Sequence, residues 1–459
     1  MLDRLRLHAD GLGGTGELRW QTNRSTTLTL RKGTLLTNGE TVSRGVSARC
    51  WRDGLYGFAA RPADDDAAIA RVVDDAAANA ALGHGRRRRT LGPLPRSAPR
   101  ESSHDYRTVR PALSPSDRLD AVRAIDAHIA ARYPGLANVD VGLQTIALEK
   151  ALATADGVLA YSYVPRTMIA VGLSLQANDA MVELYELYGG FGDPEEHLGD
   201  LEPVFARIAL LHEALRHKAE GTYSEAGLHD VVLDPVVSGI LAHEAIGHTC
   251  EADAVICGSV AGAYLGQPVA AEKVTLCDYA GRGPGGAASI AIHIDDEGTP
   301  CRDVAIIERG VLKQFLHSKE TALRLGAEPT GNARAFTYSD EPLVRMRNTA
   351  IAPGSDKLAD MIASIDRGYY LRRSTNGQAD ATSEFTFGIS LGYEIRNGKL
   401  GRAIRDTTIS GVAFDMLKTV THVGDELHWA AAGWCGKKQW IPVGVGGPAL
   451  KCKVTVAGR

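Results

Sequence analysis

Residues 234–248 read Asp-Pro-Val-Val-Ser-Gly-Ile-Leu-Ala-His-Glu-Ala-Ile-Gly-His. Asp234 is a helix-capping residue type, and Pro235 suits a first helical position, where its missing N–H would be unbonded anyway. A helix is therefore expected from Pro235 into His243 and Glu244. Its flanks differ in kind. His229–Leu233 reads as a short strand, and beyond about residue 256 the chain is mostly strands and turns. Turn signals recur at Arg309-Gly310, Asn376-Gly377 and Asn397-Gly398. Ser289–Ile294 reads as a strand and Ser355–Asp366 as one further helix. Much of the chain's complement of 50 glycines lies in this half. A helix set among Gly-rich strands makes the C-terminal half mainly antiparallel β.

Upstream of that helix the pattern alternates between strands and helices. Asp200–Lys218 reads as a helix, with Phe205, Ile208, Leu211 and Leu215 on one stripe. Val139–Leu175 reads as strands around an Asp156-Gly157 turn. Ser116–Tyr133 is a helix stopped by Pro134-Gly135. Asp64–Leu82 is a helix with an acidic start, which the helix dipole favours. Thr26–Arg31, Val46–Trp51 and Leu55–Ala59 read as strands, the last two as a hairpin around Asp53-Gly54. Residues 83–117 hold Arg86–Arg89, several Pro and Ser, and few large apolar side chains. They are expected to be an exposed connection, and without interleaved aromatics the four Arg read as a solvated loop. The small, polar stretch Ala219–Gly227 marks a boundary. The expected fold is α+β in two domains. Residues 1–220 form an N-terminal α/β domain, and residues 221–459 a C-terminal, mainly antiparallel β domain that carries the helix. No internal repeat is present.

Composition narrows the function classes. The chain has 459 residues, and 51 Lys and Arg against 55 Asp and Glu give a net charge of −4. That argues against a basic nucleic-acid binder. Apolar residues make up 44% and charged residues 23%, as in soluble globular proteins. Seven Cys, at 50, 250, 257, 277, 301, 435 and 452, form no CxxC, so a disulfide framework is not expected and a reducing cytoplasm is. No stretch approaches the ~18 apolar residues of a membrane span. No secretory leader pattern is visible at the N-terminus.

His243-Glu244-Ala245-Ile246-Gly247-His248 carries the chemistry. Two imidazoles beside a carboxylate are a pair of zinc ligands and a general base in waiting. The spacing, however, is unusual. In H-E-x-x-H the two His sit about 40° apart around the helix; here, five apart, they sit about 140° apart at ~100° per residue. Both cannot face one ion on a regular α-helix. A π-bulge would absorb the extra residue, or the helix would kink or end near Gly247. Catalytic zinc commonly takes three protein ligands. Candidates for the third are Cys250, Glu251 and Asp253 nearby, and Cys435 in the distant Gly433–Gln439. Residue type alone leaves Cys435 evenly balanced between a ligand and a small buried hydrophobe. His422 and His428 are candidates to stabilise an oxyanion, although each reads more simply as structural.

These residues, with Thr249–Asp253 after them, resemble the metal motif of the TldD/PmbA peptidases, on the active TldD side. The resemblance continues in order through Ile294–Pro300, Gly310–Lys313, Pro329–Arg334, Pro342–Thr349, Arg367–Tyr370, Cys435–Lys437 and Val443–Pro448. Arg49–Ala59 resembles the family's N-terminal hairpin. It spans roughly residues 40–455, apart from 83–117. The resemblance implies zinc held by His243, His248 and Cys435, with Glu244 as the base. It also implies a two-subunit assembly around an internal cavity. That assembly is a homodimer or a heterodimer with a PmbA-like subunit lacking the motif. Short or unfolded peptides are the implied substrates, with no nucleic acid and no membrane involved. Two departures from the family pattern, Lys437-Lys438-Gln439-Trp440 and Thr375–Asp380, bear on substrate choice. Two other readings remain: a zinc amide hydrolase acting on a natural-product intermediate, and a non-catalytic scaffold subunit.

Overall fold

Long alternating segments rich in Thr, Val and Leu build the first sheet, because every second side chain can be buried while the others stay wet. In the computed structural model, residues 1–458 are described except 53, 85–90, 178–179, 282, 287–289 and 432. The first sheet runs, in spatial order, Leu55–Arg61, Thr34–Arg52, Gly16–Arg31, Asn138–Thr154 and Val158–Ala177, all antiparallel. Val158–Ala177 then pairs with two strands. Arg100–Asp105 lies parallel to its first part, and Ala180–Phe191 lies antiparallel to its second.

Helices cover this sheet, three of them long, and the short Leu2–His8 adds Leu5 to the core. Asp66–His84 places Ile69, Val72 and Val73 against Leu18, Val46 and Ala48. Pro115–Arg132 starts with a capping box from Ser114 and buries Val122, Ile125 and Ile129 against Leu28, Leu30 and Val141. Glu202–Ala219 adds Ile208, Leu211 and Leu215 to the same core. The segment 83–117, expected as an exposed connection, is not loop throughout. Arg100–Asp105 is drawn into the sheet by six main-chain registrations with Val158–Tyr163, although its side chains stay largely exposed. Arg86–Arg89 lie outside the described residues.

The C-terminal half holds two larger sheets. One runs Lys399–Val412, Glu384–Arg396, Arg367–Ala379, Gly227–Leu233, Leu450–Val456 and His422–Val423. It is antiparallel except between Arg367–Ala379 and Gly227–Leu233. The other runs Val311–Leu312, Val304–Glu308, Leu276–Tyr279, Asn348–Ile351, Gly444–Gly447 and His428–Trp429. Ile290–Ile294 is not the expected strand. It is irregular, apart from a single bridge from Ile294 to Pro300, because Asp295 turns the chain by accepting from the N–H groups of Glu297 and Thr299. The helix expected over Ser355–Asp366 is shorter, Leu358–Ala363. Together the halves make the α+β fold expected from the sequence. Among the described residues, no helix is long and apolar enough to cross a membrane.

The acidic loop after Ile294 fastens the two halves. Asp296 takes Lys150 Nζ at 2.7 Å and lies 3.5 Å from Arg19. Glu297 takes Arg49 Nη2 at 2.6 Å and the Tyr56 hydroxyl at 3.1 Å. Arg49 also pairs with Glu17.

Candidate metal centre

Leu233 ends its strand, and Asp234 turns the chain into a helix by accepting the Val237 N–H at 2.8 Å. The first turns, Pro235–Ile240, are α-helical. Glycine is required here for proximity. A Cβ on Gly239 would meet the Gly446 backbone at 3.0 Å, so the helix lies directly on the strand Gly444–Gly447. Leu241–Gly247 is π-helical, and the His248 N–H bonds back to the carbonyl of His243. The π turn absorbs the extra residue and turns His248 toward His243, with ring centres 5.1 Å apart. Gly247 itself has ordinary helical angles. It is glycine because any Cβ would collide with Met346 Sδ, not because the backbone needs its freedom.

Cys435 reaches the same point from a hairpin, Trp434–Lys437 paired with Gln439–Pro442. The hairpin is pinned from below by arginines. Arg345 donates to the carbonyls of Cys435 (2.7 Å) and Gln439 (3.0 Å), and Arg334 to that of Pro442 (2.7 Å). Arg347 forms a fully buried pair with Asp278 at 2.7 Å. The Pro329–Arg334 and Pro342–Thr349 blocks are therefore the base on which the cysteine stands.

One ring nitrogen from each of His243 and His248 and the Cys435 sulfur lie within 4.8 Å of one another. Cys435 Sγ is 3.2 Å from His248 Nε2. Burial alone would push the thiol up, but the His243 and His248 rings outweigh it and hold Cys435 down to about 4. Burial pulls His248 down, yet Glu251 and then Cys435 raise it well above the usual imidazole range. His243 is only 2% exposed, and neither of its ring nitrogens has a hydrogen-bond partner. A buried, unpartnered imidazole beside a thiolate and a second imidazole is a donor set that fits zinc.

Glu251 orients the site. Its Oε2 lies 2.9 Å from His248 Nδ1, which aims the opposite nitrogen, Nε2, at the cysteine. Burial raises the Glu251 carboxyl, but His248 and Lys437 bring it down to about 2. Lys437 Nζ bonds Glu251 at 2.9 Å, Asp253 at 2.7 Å and the Val344 carbonyl at 3.0 Å. Lys437 is therefore neutralised inside the protein, and it is not a free charge for acidic peptides.

Glu244 stays outside the donor cluster, with its Oε2 3.8 Å from His248 Nε2. Its side chain is 28% exposed and, with His243, lines a cleft of about 740 Å³. Of the other candidates, Cys250 is buried in the apolar core, where desolvation pushes its thiol up to about 12. Asp253 holds Lys437 rather than joining the cluster. His428 is on the cleft rim, exposed and 3.5 Å from Glu426. His422 is bound to Thr421 and does not line the cleft. Sequence reasoning missed Arg345 and the orienting role of Glu251. The signal for Glu251 was a carboxylate three residues after His248, one helical turn away.

A model of the PmbA/TldA metallopeptidase C-terminal domain matches residues 226–458, and a model of domain 1 matches residues 16–80. A protein of Methanothermobacter thermautotrophicus named as a metalloprotease is 31% identical over 456 residues, which cover 96% of this chain and 95% of that one. A zinc metalloprotease TldD homolog of Saccharolobus solfataricus is 32% identical over 307 residues, 65% of this chain and 68% of that one. The crystal structure of TldE from Thermococcus kodakarensis shares the fold, with a TM-score of 0.78 at 16% identity over the whole of both chains. These likenesses place the chain among the metallopeptidases. It belongs to the PmbA/TldD family.

Proposed function

We propose that the chain is a zinc-dependent peptidase that hydrolyses short or unfolded peptides, with His243, His248 and Cys435 as metal ligands and Glu244 as the base. The observation that carries this reading is the convergence of three donors, two buried and His248 half-buried, at the head of a cleft, with a carboxylate beside them that remains open to solvent. A zinc ion bound there would supply Lewis acidity to the scissile carbonyl and to water. Glu244 takes the proton of the attacking water on a carboxylate oxygen and returns one to the departing amine. Glu251 keeps His248 in one tautomer and one orientation throughout.

The cleft volume suits a few residues of extended peptide. A mainly β C-terminal half can offer an open strand edge beside the site. Two edge strands line the cleft, His428–Trp429 of the C-terminal half and Ala180–Phe191, which pairs only with Val158–Ala177 among the described residues. An extended peptide laid along such an edge is recognised through its main chain, so selectivity by sequence is broad. Two subunits enclosing the cleft, in a homodimer or with a PmbA-like partner, would exclude folded proteins. The chain divides at 220/221 into the two domains. All seven cysteines are free, which supports a reducing, cytoplasmic setting.

The test is Glu244→Gln with parallel metal analysis and digestion of a mixed peptide library beside a folded protein. Zinc stays bound, and peptide turnover falls by roughly 10²–10⁴. Turnover at the wild-type rate overturns the mechanism, and equal cleavage of the folded protein overturns the substrate class.

A further inference from the structure

Three guanidiniums line the cleft that ends at His243 and Glu244: those of Arg207, Arg372 and Arg373. Two of them are paired. The Glu186 carboxylate accepts Arg207 Nη2 on Oε1 and Arg373 Nη2 on Oε2, each at 2.6 Å. Arg373 also donates to the Tyr185 carbonyl at 3.3 Å. Arg372 differs. Among the described residues no carboxylate forms an ion pair with it, and its Nε is buried without a hydrogen-bond partner. Its guanidinium carbon lies 5.6 Å from the centre of the Tyr370 ring, two residues back on the same face of the strand Arg367–Ala379. That contact and a hydrogen bond with the Tyr393 side chain orient the cation on the cleft wall, with Nε left unpartnered. Asp234, which also lines the cleft, accepts the N–H groups of Val237 (2.8 Å) and Arg373 (3.4 Å) and is a charge neighbour of Arg372 beyond ion-pair distance.

A planar guanidinium presents paired N–H groups that match the two oxygens of a carboxylate. Arg372 is held in place, lies on the wall of a peptide-sized cleft and has no carboxylate within ion-pair distance among the described residues. We propose that Arg372 anchors a carboxylate of the substrate, so that the cleft selects peptides carrying a free C-terminal carboxylate or an acidic side chain at a set distance from the cleaved bond. This rests on the peptidase reading, deepens it by naming a specificity residue, and gives Arg372 no part in bond breaking.

The experiment measures binding apart from turnover. Zinc-loaded Glu244→Gln protein is titrated into a fluorescent peptide made in four forms: free acid, C-terminal amide, and the amide with an internal Glu or with Gln in its place. The carboxylate forms are expected to bind roughly 10-fold more tightly than their neutral counterparts, the gain of a charge-assisted hydrogen-bonded pair. Adding Arg372→Gln brings the ratio close to one, and adding Arg372→Lys retains part of it. The acid–amide pair reports the terminal carboxylate, and the Glu–Gln pair reports a side chain. Equal binding of all four forms, or a preference that survives Arg372→Gln, overturns the proposal. Melting curves establish that both variants are folded, and the Lys variant decides if the Gln variant is not. A wild-type enzyme that cleaves no peptide, beside an intact carboxylate preference, removes the peptidase reading and keeps the subsite. Cleavage without any preference does the reverse.

Discussion

At the seam between the halves, Arg49, Glu17 and Glu297 are buried and each has a partner of opposite charge. At the head of the cleft, His243 is equally buried and neither ring nitrogen has a partner. Both regions fall in stretches that the family models match or the resemblance spans. The difference in bonding separates their roles. A buried charge whose partners are all supplied by the chain holds architecture together. A buried donor that the chain leaves unanswered is shaped for something from outside.

The contrast breaks most sharply at Cys435. Cys435→Ala leaves two protein ligands, too few for a retained catalytic zinc, and bound metal drops from about one equivalent to below about a tenth. Cys250→Ala keeps its zinc, since that thiol faces the core. Metal analysis of the folded proteins checks both, and the reverse outcome moves the third ligand to the helix end. The seam is next. Arg49→Met strands Glu17 and Glu297 without their shared cation and costs about 3–5 kcal/mol. Denaturant unfolding reads this, while zinc content per folded chain is unchanged. A loss under about 1 kcal/mol, the scale of an exposed pair, would show that the seam is not sealed from water. The smallest effect sharpens the comparison, because Glu251 belongs to both kinds of region. It is paired like the seam, yet it bears on the site. Glu251→Gln weakens zinc binding roughly 10–100-fold with stability largely kept, measured by chelator competition. Unchanged affinity would reduce Glu251 to a partner for Lys437.

Much of the architecture was legible because it rests on local signals. Asp234-Pro235 and Pro134-Gly135 mark helix ends whose physics lies within four residues. Once His243 and His248 are taken as ligands of one ion, angular arithmetic calls for a bulge, a kink or an end before His248; the structure has the bulge, at Leu241–Gly247. Other features depend on distant partners. Arg100–Asp105 has no apolar alternation, and only the edge of Val158–Ala177 makes it a strand. Ile290–Ile294 has the residues of a strand but no ladder to join. Cys435 sits 187 residues from His248, so residue spacing could not choose it over Cys250, and only the family resemblance did. The pairing of Lys437 could not be read from its own stretch, because its acids, Glu251 and Asp253, lie on another element.

The π turn ties two quantities together that are usually treated apart. A π segment is an α-helix with one residue too many, and five-residue spacing is four-residue spacing with one too many. Here they are the same residue counted twice. Nothing continuous connects the two arrangements, because a chain gains or loses whole residues. Removing one between Glu244 and His248 would straighten the helix and swing everything after it, Glu251 and Asp253 included, by about 100°. The orienting acid and the lysine that steadies it would then face elsewhere. The spacing of the motif and the placement of its supporting residues are thus inherited as one unit, and a lineage can change both or neither.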